Sequence, residues 1–92
     1  MGYKFRQFEI PDYMTEGLTL YIEHGILSGG FLTAVLENDL MKALGLADDT
    51  NLEALPAYGA YLYNEAPASC YGSKQKVSNW VILKQTERES KT

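Results

Sequence analysis

Histidine and cysteine each occur once in this chain, as His24 and Cys70, and a thiolate paired with an imidazole is what nucleophilic catalysis would ask of them. No spacing marks the third group that would orient such a pair. The simpler reading puts His24 in the last turn of a helix, where an imidazole suits the negative end of the dipole, and lets Cys70 fill a small gap. Asp48, Asp49, Asn51 and Glu53 are grouped as cation ligands could be, but the run lacks the glycine and closing glutamate of a helix-loop-helix calcium loop. Helix capping accounts for it, with Thr50 and Glu53 at capping-box spacing. Glu23 and Asp39 could act as paired carboxylates, although nothing in the sequence fixes their separation. Ser28-Gly29-Gly30 ahead of Phe31 could cradle an anion on free backbone N–H groups, yet it lacks the lysine of a phosphate loop, and a plain turn competes with that reading. No enzyme, cofactor or metal site is predicted, and Ser28, Gly29, Gly30 and Phe31 stand as the candidate anion site.

Aromatic residues are the stronger feature: seven Tyr, three Phe and one Trp in 92 residues. Tyr58, Tyr61 and Tyr63 fall within two turns of one helix, and at about 100° per residue they cannot all face inward. A tyrosine at the surface excludes water with its ring while its hydroxyl keeps a partner, which is why interfaces favour it. Tyr58, Tyr61, Tyr63 and Tyr71 are therefore the candidate interface residues. The competing reading buries each ring and exposes only its hydroxyl.

Four helices are expected to position these groups. Tyr3 to Ile10 alternates loosely and stops at Pro11, giving an extended N-terminal arm over residues 1–10. Asp12 can cap a first helix carrying Met14, Leu18, Tyr21 and Ile22 on one stripe and ending at Gly25. Ser28-Gly29-Gly30 leads into a second helix with Phe31, Leu32, Val35, Leu36, Leu40 and Leu44 at helical spacing, closed by Gly45 as the first is closed by Gly25. A third starts at Thr50, with a kink or a short first piece at Pro56, and ends before Pro67. A fourth follows Gly72-Ser73 with Val77, Trp80 and Val81, and residues 85–92 read as a polar, frayed tail.

The predicted fold is thus mostly all-α, a compact four-helix domain over residues 1–92 with the arm free or laid across it. The alternative is α+β, with a small two-stranded sheet made by the arm and residues near 81–83.

Composition bounds the function. With 46% hydrophobic residues the chain is too apolar for disorder, and its length allows one small core that a partner or second copy would help to complete. Eight basic against twelve acidic residues, a formal charge of −4, argue against a phosphate-backbone footprint, and the carboxylates are too dispersed for a DNA mimic. A lone cysteine excludes an internal disulfide and suits a reducing cytoplasm. No apolar run approaches the ~20 residues that cross a bilayer.

Taken together, Tyr21-Ile22-Glu23-His24-Gly25, Gly30-Phe31-Leu32, Ala34-Val35-Leu36, Asn38-Asp39-Leu40, Ala47-Asp48-Asp49, Asn51, Tyr61-Leu62-Tyr63-Asn64-Glu65-Ala66-Pro67 and Cys70-Tyr71-Gly72-Ser73 resemble a family of small uncharacterised proteins of tailed bacteriophages and prophages. The similarity spans Ile10 to about Val81, and Tyr71 stands where many relatives are expected to carry tryptophan. The resemblance implies a phage accessory role in the host cytoplasm and supplies no catalytic or binding residues. The expected function is non-catalytic binding of a host protein, including inhibition of a defence or regulatory system, or self-association as a homo-oligomer. Sequestration of a nucleotide-like signal and a role as a minor virion component are the alternatives, and neither nucleic acid nor membrane is expected as a partner.

Overall fold

Alternation ends early in the N-terminal segment because the chain turns back on itself. A computed structural model describes residues 3–90, and in it Lys4–Phe5 (β1) and Phe8–Glu9 (β2) form an antiparallel hairpin, Lys4 opposite Glu9 and Phe5 opposite Phe8. Arg6 takes φ 56° in the two-residue loop, the left-handed value that hairpin turns require, and its guanidinium lies 5.2 Å from the Phe5 ring centre. The Ile10 N–H donates to the Tyr3 carbonyl at 2.8 Å, and Ile10 is buried. The arm is therefore neither extended nor paired with residues 81–83, which are helical. A small two-stranded sheet exists, but it lies within the arm itself, where β1 pairs with β2 across a two-residue loop and closure costs little.

Helix α1 spans Asp12–His24 as the stripe of Leu18 and Tyr21 predicts. Pro11 precedes its first turn, so Asp12 opens the helix rather than capping it. Gly25 ends it at φ 70°, and a Cβ there would stand 2.5 Å from Lys84 Cβ, so a side chain is excluded both by backbone conformation and by the close crossing of a later helix.

The predicted second helix is two. Gly30–Leu36 (α2) stops because Asn38 adopts φ 62°, with the Asn38 N–H on the Val35 carbonyl and the Asp39 N–H on the Ala34 carbonyl, the paired bonds of a Schellman ending. Asp39 then caps Leu40–Leu46 (α3), its carboxylate accepting from the Lys42 N–H at 3.2 Å. Gly45 lies inside α3 instead of terminating it. Leu46 packs over Gly30, so α3 folds back along α2.

Asp48, not Thr50 with Glu53, caps the short helix Asp49–Glu53 (α4), accepting from the Asn51 N–H at 2.8 Å. Ala54 separates it from Leu55–Glu65 (α5), which carries Pro56 in its first turn, where the missing N–H costs nothing. A 3-10 turn, Ala68–Cys70, leads to Lys74–Ser90 (α6), capped by the Ser73 hydroxyl on the Lys76 N–H at 3.1 Å. Residues 85–90 are helical rather than frayed, tied by Gln85 to Glu89 and Thr86 to the Ile82 carbonyl; residues 91–92 of that predicted tail lie outside the described residues, as do residues 1–2 of the arm.

The result is mostly α, six α-helices and one small two-stranded sheet among the described residues. Two buried tyrosines organise it. Tyr21 donates its hydroxyl to the Cys70 carbonyl at 2.6 Å, while its own carbonyl accepts both the Gly25 N–H and Trp80 Nε1–H, joining α1, the 3-10 turn and α6. Tyr58 sets its ring edge-on to Phe31, centroids 5.3 Å apart, and donates to Asn51 Oδ1 at 2.7 Å, joining α2, α4 and α5.

Candidate functional site

The single histidine and cysteine lie in opposite environments. His24 is exposed in the last turn of α1, whereas Cys70 is fully buried and burial pushes its thiol above the usual range. That shift favours the protonated thiol, the reverse of what an attacking cysteine requires. Glu23 and Asp39 line separate clefts, Glu23 on the outer face of α1 and Asp39 beside α3. Asp48 and Asn51 are engaged in capping and in the Tyr58 hydrogen bond, and among the described residues no three His, Cys, Asp or Glu side chains gather as metal ligands.

The candidate anion residues Ser28 to Phe31 span the turn before α2 and its first turn. Gly29 rather than Ser28 precedes α2, without a side-chain cap, and its carbonyl accepts the Thr33 hydroxyl at 2.8 Å. Ser28 instead lies beside Gly17 of α1, and Phe31 is buried against Tyr58. With seven residues, α2 has few aligned peptide dipoles to offer an anion.

The four tyrosines separate. Tyr58 is 1% exposed and belongs to the core, a correction to its place in the predicted interface. Its hydroxyl pKa is raised, first by burial and then by the nearby Tyr13 and Asp48. Tyr61 is half-buried, edge-on to Tyr3 of the hairpin with centroids 5.2 Å apart, and burial raises its pKa too. Tyr63 is 82% exposed. Tyr71 is half-buried and walls a groove. Tyr13, on α1, is also largely exposed, and the sequence reading did not single it out.

Two surface depressions flank these residues. One is a broad trough of about 680 Å³ along α1, walled by Tyr3 and Tyr61 and made acidic by Asp12, Glu16 and Glu23. The other is a narrower groove of about 290 Å³ between α3 and α5. Ala34, Ala43, Tyr58 and Gly59 line it together with Leu40, Leu55 and Leu62, and Asn38 and Asp39 give it polar groups. Tyr71 and Gly72 close it, held by the Gly72 N–H on the Leu36 carbonyl at 2.8 Å.

What sequence reasoning missed is the exposed apolar surface of α3, of which Leu40 lines the groove. Leu40 and Leu44 were expected to face the core, yet Leu40 is 56% and Met41 77% exposed, Leu44 and Leu46 are exposed with them, and Ala43 is the buried residue of α3. The available signal was the composition of Leu40-Met41-Lys42-Ala43-Leu44-Gly45-Leu46, apolar nearly all round with one charge, which a surface helix cannot bury completely. Tyr63, one turn after Gly59, is exposed on α5 and is not among the residues that line the groove.

Among the described residues no helix is long and apolar enough to cross a membrane. Compared with family models, with curated proteins and with solved structures, the chain finds no match in any of the three.

Proposed function

We propose that this protein acts by binding another protein, without chemistry of its own, as a phage accessory protein in the cytoplasm of an infected bacterium. The phage setting is what the sequence resemblance implies; the binding reading is supported by α3. A helix that leaves Leu40, Met41, Leu44 and Leu46 in water beside an apolar groove forgoes burial worth about 25 cal/mol per Å². Several exposed large apolar side chains on one short helix are the mark of an interaction site. Tyr63 and Tyr71 extend it as aromatic anchors, whereas Tyr58 only supports it from beneath.

Immobilised protein should retain a partner from bacterial lysate, or change mass with concentration in solution, and Met41→Asp and Tyr63→Ala should reduce that binding at unchanged helix content. Equal binding by all three chains, or none by the parent, would refute the reading.

A further inference from the structure

We propose that the α3–α5 groove takes an arginine side chain of a partner protein, its apolar stem along the groove and its guanidinium at Asp39. This names the partner's chemistry for the binding reading above and rests on it.

Size sets what can enter. At about 290 Å³ the groove lies just below the ~300–1,000 Å³ that encloses a drug-sized ligand, so it admits one or two side chains rather than a whole helix face. Gly59 leaves room for them, since a Cβ there would meet nothing within 4 Å.

Charge sets which side chain. Among the described residues Asp39 is the only charged group lining the groove, and the chain as a whole carries a formal charge of −4, so the site and the field around it favour a cation. The carboxylate is half-buried and only partly engaged. Its Oδ1 accepts the Lys42 backbone N–H at 3.2 Å, the capping bond of α3, and among the described residues no lysine, arginine or histidine side chain pairs with it. A helix cap uses one carboxylate oxygen, which leaves the other to accept from a ligand.

The lining selects arginine over lysine. Leu40, Leu55 and Leu62 offer apolar surface on which a long side chain can lay its methylenes while its charged head stays with Asp39. Tyr71 lines the same groove, and a guanidinium stacks on an aromatic ring and gives up its water more readily than an ammonium does. Asn38 adds an uncharged acceptor for the remaining N–H donors of that head. The trough along α1 is more acidic, but Leu20 is the one aliphatic side chain among its described lining residues, so it offers a stem little apolar cover.

Nuclear magnetic resonance titration of the isotope-labelled full chain tests this with three blocked tripeptides: acetyl-Leu-Arg-Leu-amide and its counterparts with lysine or citrulline at the centre. The arginine peptide should shift the backbone signals of Asn38 to Ala43, Gly59 and Gly72 saturably. Citrulline keeps the shape without the charge and should bind at least ~10-fold more weakly, with lysine in between. Asp39→Asn, which keeps the cap and so the helix content, should lose the same factor with the arginine peptide, and Gly59→Leu, which fills the groove, should abolish the shifts. Equal binding of the three peptides, tighter binding of lysine, parent-like binding by Asp39→Asn, or no saturable shift overturns the inference. Capture from bacterial lysate separates it from the reading beneath it. If Asp39→Asn retains a partner that Met41→Asp loses, the arginine assignment fails and the binding reading stands. A parent that captures nothing and keeps one mass at every concentration defeats both.

Discussion

Removing one oxygen atom from Tyr58 should cost this protein more than removing the whole side chain of Tyr63. In Tyr58→Phe the ring keeps its edge contact with Phe31, but Asn51 Oδ1, which accepts the hydroxyl at 2.7 Å, loses that partner. Asn51 is a buried polar residue, so its side-chain oxygen has little access to water in place of the hydroxyl. An unsatisfied buried acceptor costs about 1–3 kcal/mol, a substantial part of the ~5–15 kcal/mol that holds a small domain. For a domain of this length, each kcal/mol lowers the melting midpoint by roughly 4–8 °C. Thermal and urea denaturation at one fixed protein concentration measure the difference, the concentration being held because association would itself stabilise the fold. Replacing both partners, Tyr58→Phe with Asn51→Leu, should recover part of the loss, since neither polar group then remains. Tyr63→Ala should stay within about 0.5 kcal/mol of the parent at concentrations where the chain is monomeric. Equal stability of Tyr58→Phe and parent would refute the assignment of Tyr58 to the core network.

Alkaline pH should unfold the protein through groups that burial keeps neutral. Cys70, Tyr21 and Tyr58 all have raised pKa values, chiefly from burial, so their contribution is fully present below their unfolded values of 9.0 for the thiol and 10.0 for the phenols and is lost as pH rises beyond them. Stability should therefore fall above about pH 9, and absorbance titration should show two tyrosines ionising only with unfolding. Cys70 should resist thiol reagents at pH 8 in the native protein and react once denatured. Gly25→Ala should destabilise by about 2 kcal/mol or more, combining a left-handed backbone with the clash at Lys84, whereas Gly59→Ala should stabilise the monomer by roughly 0.5–1 kcal/mol because its added methyl meets open space within α5. Chemical denaturation of the two variants beside the parent gives both signs.

Periodicity and end signals carried most of the fold. The stripe through Leu18 and Tyr21 and the glycine at 25 define α1 within a residue, and Ser73 marks the start of α6. The break at Asn38-Asp39 was legible in principle, since asparagine tolerates a left-handed backbone and aspartate caps well, but the apolar spacing from Phe31 to Leu44 runs unbroken across it. The hairpin was hidden for a different reason: Arg6-Gln7 lacks the Asn-Gly or Asp-Gly pair that announces such turns, and the packing of Tyr3, Phe5 and Phe8 against the core compensates for a non-glycine residue at φ 56°. Helix phase alone established that the tyrosines of α5 diverge, and not which ring goes inward, because that depends on where Phe31 and Asn51 arrive from other elements. Leu40, Met41 and Leu44 escaped because hydrophobic spacing identifies a face that wants burial without saying whether the chain itself can supply the cover.

Hydrogen–deuterium exchange of the chain alone and of the chain bound to the partner it captures from bacterial lysate measures that cover directly. The account predicts that α3 (Leu40–Leu46) gains protection in the bound state, while the outer turns of α1 exchange at a constant rate. Exchange in α3 that stays equally fast in the bound state, or protection that grows along α1 instead, would contradict it.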